Sequence, residues 1–204
     1  MSIPDLTLFR TEPLVFAKIL WPGVYFYKDQ REIIESVVWN KESYVAAAHK
    51  MGKDYVAGFL CLWYFLCHHP VRVVTTSVKD SHLMVLWGEI ARFIETAKYP
   101  LTAKKGGPLS VNHREIRKVI NGEVDKYSYL IGCVSERGEG LAGHHAPNTL
   151  LVCDEASGCD DEVMIKGDTW AKRLLIFGNT YDPRGGTNFF KRAVMAGDVV
   201  DDGD

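Results

Sequence analysis

SYVAAAHKMGKDYVAGFLCLWYFLC, residues 43–67, joins a short β-capable run to a loop holding a glycine–lysine pair and then to an unbroken apolar stretch. A loop that cradles phosphate follows the pattern G-x-x-x-x-G-K-[ST]. Its glycines let backbone N–H groups turn toward phosphate oxygens, its lysine neutralises charge, and its hydroxyl ligates magnesium. Laid on this chain, the frame runs from Ala47 to Asp54: alanine stands in the first glycine's place and aspartate in the hydroxyl's. Gly52 and Lys53 are in register, with His49, Lys50 and Met51 before them. The expected strand 43–48 and helix 53–67 put the helix N-terminus, with its free N–H groups, where an anion binds. Asp54 reads in two ways. Its hard oxygen suits magnesium, and its position suits an acid stabilised by the positive end of the helix dipole.

Working outward, "KDQREIIESVVWN" carries Ile33, Ile34, Val37 and Val38 at helical spacing, which predicts a helix over about 28–40. "VRVVTTS" (71–77) has the β-branched content and length of a buried strand. Over 79–98, Leu83, Leu86, Trp87, Ile90, Phe93, Ile94 and Ala97 share one face of an amphipathic helix. Residues 99–127 contain turns at Gly106-Gly107-Pro108 and Asn121-Gly122 and fit a hairpin-like insertion. Strands are expected at 127–135, 148–157 and 171–180, and helices at about 160–169 and 187–196. Apolar strands alternating with helices predict a parallel sheet covered on both faces, an α/β fold in three layers.

"NTLLVCDEAS" (148–157) ends an apolar run with Asp154-Glu155. Ligands of open α/β sheets bind at the carboxyl ends of the strands. An acid pair there supplies a carboxylate for a magnesium shell and a second that orients and deprotonates water. The plain alternative is an acidic turn closing a strand. Gly52-Lys53 and Asp154-Glu155 together predict a site for a nucleoside triphosphate.

Composition narrows the classes. With 204 residues and 47% hydrophobic content the chain can bury a sizeable core. Lysine plus arginine (24) and aspartate plus glutamate (26) nearly cancel, so any nucleic-acid contact must come from a local patch. The five cysteines form no CxxC pair, which fits a reduced, intracellular protein. The longest apolar run, 56–67, falls short of the roughly 20 residues that cross a bilayer, and no secretory leader is expected.

The motif order resembles the N-terminal ATPase domain of the large terminase subunit, the motor that packages DNA into tailed-phage capsids. "YKDQREII" is similar to that family's adenine-recognition motif, which implies Gln30 at the adenine edge and Tyr27 or Tyr25 at its face. "AAAHKMGKD" looks like a deviant Walker A loop, with His49 where the family commonly has arginine and Lys50 beside it. "LLVCDEASG" is similar to the Walker B strand, and implies Asp154 as metal-holding and Glu155 as catalytic. "LLIFGNTYDPRGG" looks like the coupling motif, with Asn179 or Thr180 sensing the γ-phosphate. Arg137-Gly138 is a candidate arginine finger, farther upstream than the family places it; the alternative is a solvated loop residue.

The resemblance implies a RecA-like P-loop fold of the additional-strand, catalytic-glutamate class. It also implies ATP and Mg2+ as cofactors, double-stranded DNA, portal protein and small terminase subunit as partners, a homo-oligomeric ring on the capsid, and the host cytoplasm as location. The expected organisation is a single ATPase domain over 1–204. It comprises an N-terminal segment (1–42) with the adenine motif, a P-loop core (43–197) and an acidic tail (198–204), without the family's C-terminal nuclease, as in an excised domain. A helicase-like ATPase and a catalytically degenerate nucleotide-binding scaffold are the rival readings. The adjacent pairs His68-His69 and His144-His145 suit turns better than metal sites. The interval 98–126, with seven Lys/Arg against three acids, is a candidate DNA-facing patch.

Overall fold

The computed structural model describes residues 4–46, 51–135, 140–179 and 189–197. In chain order the elements are α1 (Pro13–Leu20), α2 (Lys28–Trp39), β1 (Glu42–Ala46), α3 (Lys53–Cys67), β2 (Val71–Ser77), α4 (Asp80–Thr96), β3 (Leu109–Asn112), β4 (Glu115–Ile120), β5 (Glu123–Val134), β6 (Asn148–Asp154), α5 (Asp161–Asp168), β7 (Arg173–Gly178) and α6 (Phe189–Gly197). Three short 3-10 turns complete the set. The strands form one seven-stranded sheet in the order β1-β7-β6-β2-β5-β4-β3. The first five run parallel, and β4 and β3 continue antiparallel.

Alternation along the central strands divides the core between two faces. Val71 and Val73 of β2, Leu150 and Val152 of β6, and Leu175 and Phe177 of β7 pack beneath α1 to α4. Val74, Leu151, Cys153, Leu174 and Ile176 face the opposite way, with Val163, Met164, Trp170 and Phe190. The sheet is therefore the middle of three layers. Helix α3 is buried from Val56 to Cys67, the expected fate of a helix apolar all round. It lies tight on α4, where a Cβ at Gly58 would stand 3.1 Å from Cβ of Glu89. Phe59 is fully buried among Phe16, Trp21, Phe26 and Phe93. Truncating such a ring costs about 3–5 kcal/mol.

Two features depart from the sequence expectation. The stretch 99–127 and the strand at 127–135 are not separate. β5 is a single 12-residue strand whose first part pairs antiparallel with β4 and whose second part pairs parallel with β2. The Asn121-Gly122 turn, with φ of 53° and 84°, supplies the left-handed pair that a tight hairpin needs. Secondly, α1 and the turn Leu6–Phe9 were not anticipated. Pro13 opens α1 at a position that needs no N–H. Phe16, Ala17 and Leu20 bury its inner face, and Trp21 beyond it donates from Nε1 to the Phe93 carbonyl at 2.9 Å. No helix among the described residues is long and apolar enough to cross a membrane.

Candidate nucleotide site

The parallel pairing brings the carboxyl ends of β1, β7, β6 and β2 to one edge of the sheet, Ala46 beside Gly178 and Asp154 beside Ser77. β1 ends at Ala46 on that edge, and α3 begins at Lys53. Gly52 caps α3 with φ of 71°, a left-handed conformation that side chains resist, and a Cβ there would come within 2.9 Å of Gln30 Nε2. Gln30 explains the crowding. Its Nε2 donates to the Met51 carbonyl at 3.1 Å, and its Oε1 accepts from the Tyr27 N–H at 3.1 Å. A residue expected at an adenine edge thus ties the N-terminal segment to the loop. Tyr25 and Tyr27 stay exposed beside it as an edge-on pair with ring centres 5.4 Å apart, and the Arg31 guanidinium lies over Tyr25.

Lys53 crosses to the end of β6. Its Nζ stands 2.9 Å from Asp154 Oδ1 and donates a short hydrogen bond to Glu155 Oε1. The side chain of Asp154 is only 4% exposed, whereas Lys53 and Glu155 keep 23% and 27% and so open toward solvent. Burial opposes the charge on Lys53, but the bonds to Glu155 and Asp154 outweigh it and hold the ammonium above its ordinary value. Asp154 is pushed up by burial, with Lys53 pulling part of the way back. Asp54 is likewise raised by burial and then by the Asp154 charge, against the pull of Lys53.

Glu155 sits in the left-handed region at φ 57° and ψ 43°. For a residue with a side chain that conformation costs about 1–2 kcal/mol. Strain of this kind persists where surrounding structure enforces it and is frequent at reacting groups. Here it turns the glutamate off the strand axis toward Lys53. Two residues on, the Ser157 hydroxyl accepts from the Asn179 N–H at 3.4 Å and links the end of β7 to the turn that carries Glu155.

The donor set suits a divalent cation. A buried carboxylate and a strained one already embrace one cationic group, and hard oxygens are the donors magnesium takes. Asp154 and Glu155 form, with His82 on α4, the one group among the described residues whose ligand atoms all lie within 4.8 Å of one another; Asp54 stands outside it. His82 was missed in the sequence. The available signal was its place five residues beyond the end of β2, the strand beside β6. His49, Lys50, Arg137 and Thr180 lie outside the described residues, as does the tail 198–204.

Strand β7 lies between β1, which leads into the loop, and β6, which carries the acid pair. This additional strand, with lysine, aspartate and glutamate at one carboxyl edge, gives the sheet of a RecA-like α/β fold. Among solved structures, the large terminase of bacteriophage HK97 superposes on 97% of this chain with a TM-score of 0.64 at 11% identity, and the chain spans 41% of that protein's length. The large terminase ATPase domain of Thermus phage P74-26 superposes on 87% of this chain, with a TM-score of 0.63, 16% identity and 72% of that domain covered. An arginine-to-alanine variant of the same domain gives 0.64. At these identities the likeness is one of fold. No family model matches the chain, and no curated protein is similar to it in sequence.

Proposed function

We propose that this chain is the ATP-hydrolysing motor domain of a phage terminase large subunit, and that it drives double-stranded DNA into a procapsid. The observation that carries the reading is the junction of Lys53 with Asp154 and Glu155, some hundred positions apart in the chain, at the sheet edge where this fold class binds nucleotide. The large terminases whose fold it shares support the DNA-packaging half of the proposal.

Lys53 and the N–H groups at the start of α3 hold the β and γ phosphates. To do so the ammonium leaves the acid pair, which frees Glu155 to accept a proton from the attacking water. Asp154 would hold Mg2+, and the ion would supply neutralisation of the developing phosphate charge. Asn179 senses the change through Ser157, which gives the coupling motif a physical link to the glutamate turn. Tyr25 and Tyr27 offer the adenine face. Arg137, Thr180, His49 and Lys50 keep their proposed roles of trans-acting finger, coupling and phosphate contact. Portal protein, small subunit, ring assembly on the capsid and the host cytoplasm belong to the same proposal.

The DNA surface is smaller than the raw charge of 98–126 implies. Arg114 pairs with Asp80, Arg117 with Glu115, and half-buried Lys118 donates to the Leu66 and His68 carbonyls, with its pKa lowered to about 8 by desolvation. Lys98, Lys104, Lys105 and Lys126 remain for phosphate contacts.

One observation favours a second reading. Asp54 sets a carboxylate where the loop pattern has a hydroxyl, which fits a scaffold that binds nucleotide without hydrolysing it. Steady-state phosphate release across Mg2+ concentrations separates the two. The motor turns over slowly and rises with Mg2+; release at the buffer level at every concentration supports the scaffold.

A further inference from the structure

We propose that His82 joins Asp154 as a ligand for the divalent cation of this site, so that the site prefers a first-row transition ion such as Mn2+ over Mg2+. The inference rests on reading the Asp154-Glu155 pair as a cation site. His82 occupies the first turn of α4, and a ligand nitrogen of its ring lies within 4.8 Å of ligand oxygens of both acids. The approach follows from the topology. β2 pairs with β6 so that Ser77 is the register partner of Asp154, and α4 begins three residues after Ser77, which carries its first turn over the acid pair.

Two polar atoms at this edge point to something the protein alone does not supply. His82 Nδ1 is shut from solvent with no hydrogen-bond partner, and so is the hydroxyl of Ser77, a residue with no exposed surface. Register partners on adjacent strands direct their side chains to the same face, so the Ser77 hydroxyl stands beside the Asp154 carboxylate. Buried polar atoms left unpaired call for a specific explanation, an ion or its water among them. A cation held by His82 and Asp154, with water on Ser77, explains both.

The ligand chemistry sets the preference. Magnesium takes oxygen donors in near-ideal octahedral geometry, whereas an imidazole nitrogen favours first-row transition ions. One nitrogen with the Asp154 carboxylate and water binds Mn2+ as a mixed set, while Glu155 stays free as the base, and Mg2+ gains little from the imidazole.

The test is equilibrium binding to the full chain without nucleotide, in a Lys53→Ala background that clears the ammonium from the acid pair. Free Mn2+ is counted by electron paramagnetic resonance, and Mg2+ is measured by competition. That background should hold one Mn2+, about tenfold tighter than Mg2+. His82→Ala should weaken Mn2+ about tenfold and leave Mg2+ within about twofold. His82→Asp, which puts an oxygen donor in place of the nitrogen, should move the preference toward Mg2+ and serves if the alanine variant folds poorly. Asp154→Asn should weaken both ions. If Asp154→Asn weakens both while the histidine variants leave the Mn2+-to-Mg2+ ratio unchanged, His82 is no ligand and the ATPase reading stands. If no variant affects either ion, both the ligand assignment and the acid pair's role as a cation site fall.

Discussion

The two halves of the candidate site are built on different principles. At the end of β6, Asp154 and Glu155 are placed by a strand buried on both faces, and the sheet's long-range pairing fixes their position. At the start of α3, Gly52 to Asp54 are placed by a loop whose sequence departs twice from the phosphate-cradling pattern. The contacts that hold it come from elsewhere, from Gln30 on α2 and from the acids themselves. A strand end can carry a strained glutamate because the sheet enforces it; a loop has to borrow its rigidity.

The contrast is sharpest where the halves meet. Lys53→Ala removes the group shared by both, and charge-assisted bonds of this kind are worth about 1.5–3 kcal/mol each. ATP affinity should fall about 10- to 100-fold, read by fluorescent-nucleotide titration. An unchanged affinity would detach the loop from the nucleotide altogether.

Gln30→Ala probes the borrowed rigidity. It removes two part-buried hydrogen bonds, to the Met51 carbonyl and from the Tyr27 N–H, each worth about 0.5–1.5 kcal/mol, so the chain should lose about 1–3 kcal/mol in urea unfolding. If Gln30 acts by holding the loop, ATP and GTP affinities drop together. If it contacts the adenine edge, as the family resemblance implies, only the preference for ATP disappears.

Glu155 tests the strained half. Both Glu155→Gly and Glu155→Ala delete the carboxylate, but only glycine is at ease at φ 57°. The glycine variant should be the more stable by about 1 kcal/mol, or roughly 2–4 °C in Tm, reversing the usual order of the two residues. Equal melting temperatures would mean that the turn relaxes and stores no strain.

The smallest effect belongs to Asp54. Its carboxyl is raised above 3.8 by burial and by Asp154, against Lys53. A carboxyl raised in the fold contributes most below its unfolded value and loses that contribution as pH climbs through the folded value. Asp54→Asn should therefore stabilise the chain at pH 7 by less than about 1 kcal/mol, and the gain should shrink as pH falls toward 3.8. Thermal melts across that range check it.

How legible each half was follows from the same contrast. β2, β6 and β7 announced themselves as apolar runs, and α3 and α4 by composition and periodicity, because burial on one face or two leaves a pattern in the residues themselves. That Lys53 and the acid pair converge on one site was expected from motif chemistry; the sheet order that brings them together was not read from the sequence. What the sequence hid depends on partners distant in the chain. α1 is defined by Trp21 meeting Phe93, Gln30 by where the loop turns, and His82 by β2 lying beside β6. The continuity of β5 was obscured because its two parts pair with different neighbours in opposite senses and so carry different polarity patterns.

The most direct test of the account combines nucleotide binding and phosphate release in Glu155→Gln, which keeps the size of the side chain and removes its basicity. The account predicts Mg2+-dependent ATP binding close to wild type, with phosphate release lowered about 10²- to 10⁴-fold. Phosphate release at the wild-type rate would contradict the claim that Lys53 and the acid pair form one hydrolytic centre.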